Sequence, residues 1–227
     1  MFHIRPNDRR GRRTYRVTES ASPDGFVHAP VVMLRGSRNY VHSTDLYCEL
    51  MAGAKAAGLA MIDGIVTLDI RSPITTQPEF HFGESLPIGG AVAANFELGV
   101  GGRVVSGRIV CSNRAVIDRK PYDEERIWRH ARVHGSSIEV AADTGMEPIE
   151  VVTALGVLQH KTLFPPPNGK RWLLGKLSLT RRLQPQDAKA ITVSLDRKVG
   201  ATITRSIISG VEGQLGSMHF ILGSIPD

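Results

Sequence analysis

The chain has 227 residues, 41% of them hydrophobic and 22% charged, with a formal net charge of +6 and a pI near 9.6. This is the composition of a globular protein rather than a disordered one. No apolar run reaches the roughly 18 to 20 residues a membrane-spanning helix needs. The first residues lack the apolar core of a secretory signal, so a cytoplasmic protein without membrane contact is expected. The two cysteines, Cys48 and Cys111, read as reduced thiols.

Residues 1–25 carry six arginines against three carboxylates, so half of the excess charge is local. They show little apolar periodicity and read as a flexible basic arm. A basic body suits an anionic ligand as well as nucleic acid. Few aromatics interleave with the basic residues, so nucleic acid is not the expected partner.

Residues 26–34 are apolar and β-branched, the pattern of a strand. A polar loop follows, and Ser43 or Thr44 is placed to cap a helix running to Gly58. Leu46, Leu50 and Ala54 give that helix an apolar stripe, and Asp45 in its first turn favours the positive dipole end. Strand patterns follow at 65–70 and, more weakly, at 79–88. Residues 91–100 and 103–117 form a long hairpin on a Gly-rich turn. The first half thus spans 26–118. Residues 119–132 are charged and contain Pro121, which reads as a linker with a short helix at 123–129. The second half spans 133–227. It predicts a strand at 133–142, a helix at 147–163 ended by Pro165-Pro166-Pro167, and strands at 172–180, 188–196, 201–209 and 214–222.

The two halves repeat one another. Gly90-Ala91 opens a strand, a Gly-rich turn and a second strand, and so does Gly200-Ala201. Upstream, each half has a helix, a strand and a Gln-Pro pair, Gln77-Pro78 and Gln184-Pro185. A repeat of this length is a duplicated domain.

Each half reads strand, helix, then four strands. This order, and the passage Arg182-Leu183-Gln184-Pro185-Gln186-Asp187, resemble the hotdog fold, in which an antiparallel sheet wraps one central helix. Gln186 stands where the usual turn glycine of that fold would sit. The whole chain is similar to the double-hotdog enzymes of acyl-CoA and acyl-carrier-protein chemistry, an α+β architecture. The resemblance implies a thioester substrate held between the halves, with its carbonyl near a helix N-terminus. It implies a thioesterase first. A 3-hydroxyacyl dehydratase or hydratase, an acyltransferase or decarboxylase, and a non-catalytic acyl-CoA-binding module are the alternatives. It implies no cofactor, and it allows a homodimer of double hotdogs.

Residues 35–49 are the richest polar stretch. Asp45 and Glu49 lie four apart, on one helix face, as candidate carboxylates. Thioesterases of this fold use such a carboxylate, and its dehydratases use a His before one helix, the position of His42. Tyr40 completes the candidate catalytic set. Arg38, Asn39, Ser43, Thr44 and Glu147 are the candidate substrate-binding residues. A 107-residue offset sets Asp45 against Val152, His42 against Ile149 and Glu49 against Gly156, so one site rather than two is expected. The other histidines lack metal-ligand spacing, so no metal is expected.

Overall fold

A computed structural model of the chain describes residues 25–59, 61–83 and 90–224. The basic arm, except for Gly25, lies outside the described residues. In chain order the elements are β1 (Val27–His28), β2 (Leu34–Arg35), α1 (Ser43–Ala56), β3 (Ile62–Ile70), β4 (Thr76–Phe82), β5 (Val92–Val100) and β6 (Arg103–Ala115). Then come β7 (Arg119–Lys120), α2 (Glu125–Trp128), β8 (Ala131–His134), β9 (Ser137–Val140), α3 (Pro148–Leu163) and β10 (Lys170–Leu179). A 3-10 turn (Pro185–Lys189) leads to β11 (Ile191–Val199), β12 (Ile203–Gly210) and β13 (Gly213–Ser224).

The architecture is α+β. Eleven strands form one sheet in the order β1-β4-β6-β5-β3-β10-β13-β12-β11-β9-β8. The halves join where β3 pairs antiparallel with β10, with Leu68 opposite Leu177 and Asp69 opposite Lys176. Along both strands burial alternates: Val66, Leu68, Leu177 and Leu179 face the core, while Thr67, Asp69, Lys176 and Ser178 face outward. That period of two is what a sheet covered on one face requires. The covering layer is α1 and α3, which also pack on each other. Leu46, Leu50 and Ala54 of α1 are buried, as are Val151, Val152 and Leu155 of α3. Each large side chain so buried contributes about 1.5–3 kcal/mol. No helix among the described residues is long and apolar enough to cross a membrane.

The two halves differ in strand order. In the second, β11, β12 and β13 are neighbours in sequence order. In the first, β4 pairs with β6, and β5 lies beyond it beside β3. So β5, expected from the sequence to correspond to β12, lies beside β3 as β13 lies beside β10. The two partners of β6, β4 and β5, are therefore parallel to each other.

Several expected elements shift. The strand expected at 26–34 is two short pieces, because Pro30 lacks an N–H. Between them Gln77 stands in for a strand partner: its side chain accepts from Val32 N at 2.8 Å and donates to Val32 O at 3.1 Å. The strand expected at 133–142 is the hairpin β8–β9, turning at Gly135 with φ 58°. The strand expected to start at 188 starts at Ile191, since Asp187 caps a 3-10 turn by accepting from Gln184 N at 2.7 Å. The weak strand expected at 79–88 runs instead from Thr76 to Phe82, and 84–89 lie outside the described residues.

Candidate functional site

The N-termini of α1 and α3 lie side by side, held by Arg35. This residue ends β2, which pairs in parallel with β7 and so ties the 119–128 stretch to the site. The Arg35 guanidinium donates to both oxygens of Asp45, at 2.8 Å each, and to Glu150. Lys120 of β7 adds a third donor to Asp45 at 2.8 Å. Burial opposes the charge on Asp45, but these hydrogen bonds outweigh it and hold its carboxyl below the usual range. Burial likewise opposes the charge on Arg35, and Asp45 and Glu150 outweigh it.

Tyr122 packs between two guanidiniums. Arg35 lies 4.7 Å and Arg38 5.1 Å from its ring centre. Its hydroxyl is buried with no hydrogen-bond partner among the described residues. Arg38 is anchored in turn by Glu124, at 2.8 Å. The ring of His42 lies 5.0 Å from that of Tyr122.

His42, rather than Ser43 or Thr44, is the N-cap of α1. Its Nδ1 accepts from Thr44 N at 3.4 Å and from the Thr44 hydroxyl at 2.7 Å. Burial, then the charges of Arg38 and Arg35, push its pKa down to about 3. The ring is therefore neutral at pH 7, and with Nδ1 accepting, its proton sits on Nε2. Nε2 has no hydrogen-bond partner among the described residues.

A cavity of about 450 Å³ opens beside this cluster and spans both halves. Its walls come from the start of α1, the β3–β4 turn, the middle of α3 and the start of β10. His42, Leu46 and Ile74 line it on one side, and Val157, His160, Trp172 and Phe220 on the other. His160 is locked: its Nδ1 donates to Gly156 O at 2.7 Å, and its Nε2 accepts from Thr204 at 2.6 Å. Both ring nitrogens are in use, so His160 acts as wall.

Of the residues singled out in sequence, Arg38, Tyr40, His42 and Ser43 line the cavity. Asp45 turns away to Arg35 and Lys120. Glu49, one turn on from Asp45, bonds His28 at 3.0 Å instead of joining the Arg35 cluster. Asn39 accepts from Arg119 at 3.1 Å. Thr44 serves His42. Glu147 caps α3 through a reciprocal bond pair with Glu150. Sequence reasoning passed over Arg35, Lys120, Tyr122 and Glu124. The available signal was an aromatic set among charges in a stretch read as a linker.

The caps also correct the offset between the halves. His42 and Glu147 are the two N-caps, so the offset at the helices is 105, and Asp45 faces Glu150 rather than Val152.

No family model matches the chain, and no curated protein does. Solved structures do resemble it. The tesB protein of Mycobacterium avium subs paratuberculosis is 10% identical, with 92% of this chain and 95% of that one covered and a TM-score of 0.46. An acyl-ACP thioesterase from Bacteroides thetaiotaomicron is 10% identical over 87% of this chain and 98% of its own, with a TM-score of 0.40. A protein of unknown function with a hot dog fold from Alicyclobacillus acidocaldarius is 9% identical over 83% and 89%, with a TM-score of 0.38.

Proposed function

We propose that this chain is a tandem hotdog that acts on an acyl thioester held in the cavity between its halves. The observation that carries this reading is the placement of His42. A buried, neutral imidazole sits at the N-terminus of α1 and lines the cavity, its Nε2–H without a hydrogen-bond partner among the described residues. A thioester carbonyl placed against that N–H meets a donor and the positive end of a helix together, the arrangement that stabilises a developing oxyanion.

In the hydrolytic reading, water adds to the carbonyl carbon, the C–S bond breaks, and the thiol leaves with the proton that the water gives up. That proton needs an acceptor. Of the clustered carboxylates only Glu124 lines the cavity, so Glu124 takes that role. His42 has its proton on the cavity side and a low pKa, which suits a hydrogen-bond donor better than the base of a dehydratase.

A second reading is an acyl-thioester-binding module. It is favoured by the pairing of every carboxylate in the cluster: Asp45 and Glu150 with Arg35, Glu124 with Arg38. A panel of acyl-CoAs, read for binding by calorimetry and for free thiol by a colorimetric assay, separates the two. Binding with thiol release supports hydrolysis. Binding without release supports the module. Absence of both with every chain length removes the thioester reading.

A further inference from the structure

The charge around the cavity is lopsided. Arg38, Arg71, Lys161, Lys170 and Arg171 line it, and Glu124, already tied to Arg38, is the one carboxylate among the described lining residues. A neutral acyl chain does not need this charge, although the phosphates of a CoA carrier would use its exposed part, Arg71, Lys161, Lys170 and Arg171. A site that repelled anions would leave a carboxylate free in the cavity.

We propose that the cavity binds a free aliphatic carboxylate, with its head group against His42 Nε2 at the N-terminus of α1 and its chain along Val157, Trp172, Leu174 and Phe220. Two independent observations place the head group there. The first is the end of a 14-residue helix, whose dipole favours an anion. The second is His42, 5% exposed, lining the cavity with a nitrogen that has no protein partner among the described residues. Arg38 lies in the same wall. Lys170 and Arg171 are exposed at the rim and steer an anion inward without holding it. The cavity volume, about 450 Å³, falls within the range of small-ligand sites, about 300–1,000 Å³.

The inference rests on the reading that the cavity takes an acyl chain, and it goes further: a free acid outcompetes a neutral ligand of the same length. If the chain hydrolyses thioesters, its own product is then an inhibitor.

The test is calorimetric titration of the full chain with octanoate and with 1-octanol at pH 7.5. Octanoate is expected to bind at least about tenfold more tightly, since a charge-assisted hydrogen bond is worth about twice a neutral one. His42→Asn keeps an N-cap side chain but is too short to fill the place of the imidazole, so it is expected to erase the preference. Equal affinity of the two ligands for the unaltered protein overturns the proposal, whatever the variant does. So does a crystal soak with the octanoate head group on Lys170 and Arg171 instead of His42. Thiol release from acyl-CoA without an octanoate preference would sink this inference and leave the enzyme reading standing. An octanoate preference without thiol release would support this inference and count against hydrolysis.

Discussion

Asp45 and Glu150 occupy the same third position of their helices, 105 residues apart, and share the guanidinium of Arg35. Two positive helix ends are thereby brought together with two carboxylates and one buried cation between them. The arrangement fixes the relative placement of α1 and α3, and so the width of the cavity between them.

Removing the shared cation is expected to cost more than the pair of hydrogen bonds it makes. Arg35→Met leaves both carboxylates at a buried junction, with Lys120 alone beside Asp45. A broken buried ion pair typically costs about 3–5 kcal/mol. Urea unfolding should show a loss of that order. Adding Asp45→Asn and Glu150→Gln should restore part of it, because the stranded charges are then gone. A loss below about 1 kcal/mol for Arg35→Met would mean the junction is wet and the triad is peripheral.

His42 sets a pH dependence of known sign. Its pKa is near 6.5 in the unfolded chain and about 3 when folded, so between these values the unfolded state holds more protons. Stability is therefore full above about pH 6.5 and falls as pH drops toward 3, by up to about 1.4 kcal/mol per pH unit for this one group. Burial lowers the pKa of His160 too, which adds to the same trend. His42→Asn should flatten the fall between pH 6 and 4 without abolishing it. An unchanged slope in that variant would mean that His42 is solvated in the folded state.

The helices and most long strands were legible because their apolar periods differ, near 3.6 in 44–58 and 2 in 66–70. Strand order was not legible. β5 and β6 both present a buried alternate face, at Phe96 and Leu98 and at Val105 and Ile109, so either satisfies the same place in the sheet. Of the polar stretch at 35–49, His42 and Arg38 line the cavity. The partition of its carboxylates was hidden, because Asp45 and Glu49 differ only in what reaches them from afar: Arg35 and Lys120 in one case, His28 in the other. Tyr122 was hidden for the same reason, since its value comes from the two arginines that fold onto it.

Tyr122 offers a test of that stacking. Its hydroxyl is buried without a partner among the described residues, and an unsatisfied buried polar group typically costs about 1–3 kcal/mol. Tyr122→Phe keeps both guanidinium contacts and should hold or raise the melting temperature. A clear drop would show that the hydroxyl is hydrogen-bonded through water and belongs to the site.

The catalytic assignment is best tested by comparing carboxylates in one assay. Glu124 lines the cavity, Asp45 is closed off by Arg35 and Lys120, and Glu49 faces His28. If the chain hydrolyses acyl-CoA, Glu124→Gln should lower kcat by about a hundredfold or more, the usual worth of a general base, with KM little changed. Glu49→Gln should leave both constants near those of the unaltered protein. Asp45→Asn should act through stability, so its residual activity should follow the folded fraction as temperature is raised. The opposite ranking, with Asp45→Asn abolishing turnover in a fully folded protein, would mean that Asp45 leaves Arg35 when substrate binds. The nucleophilic or water-activating carboxylate would then be on α1 rather than beside α2.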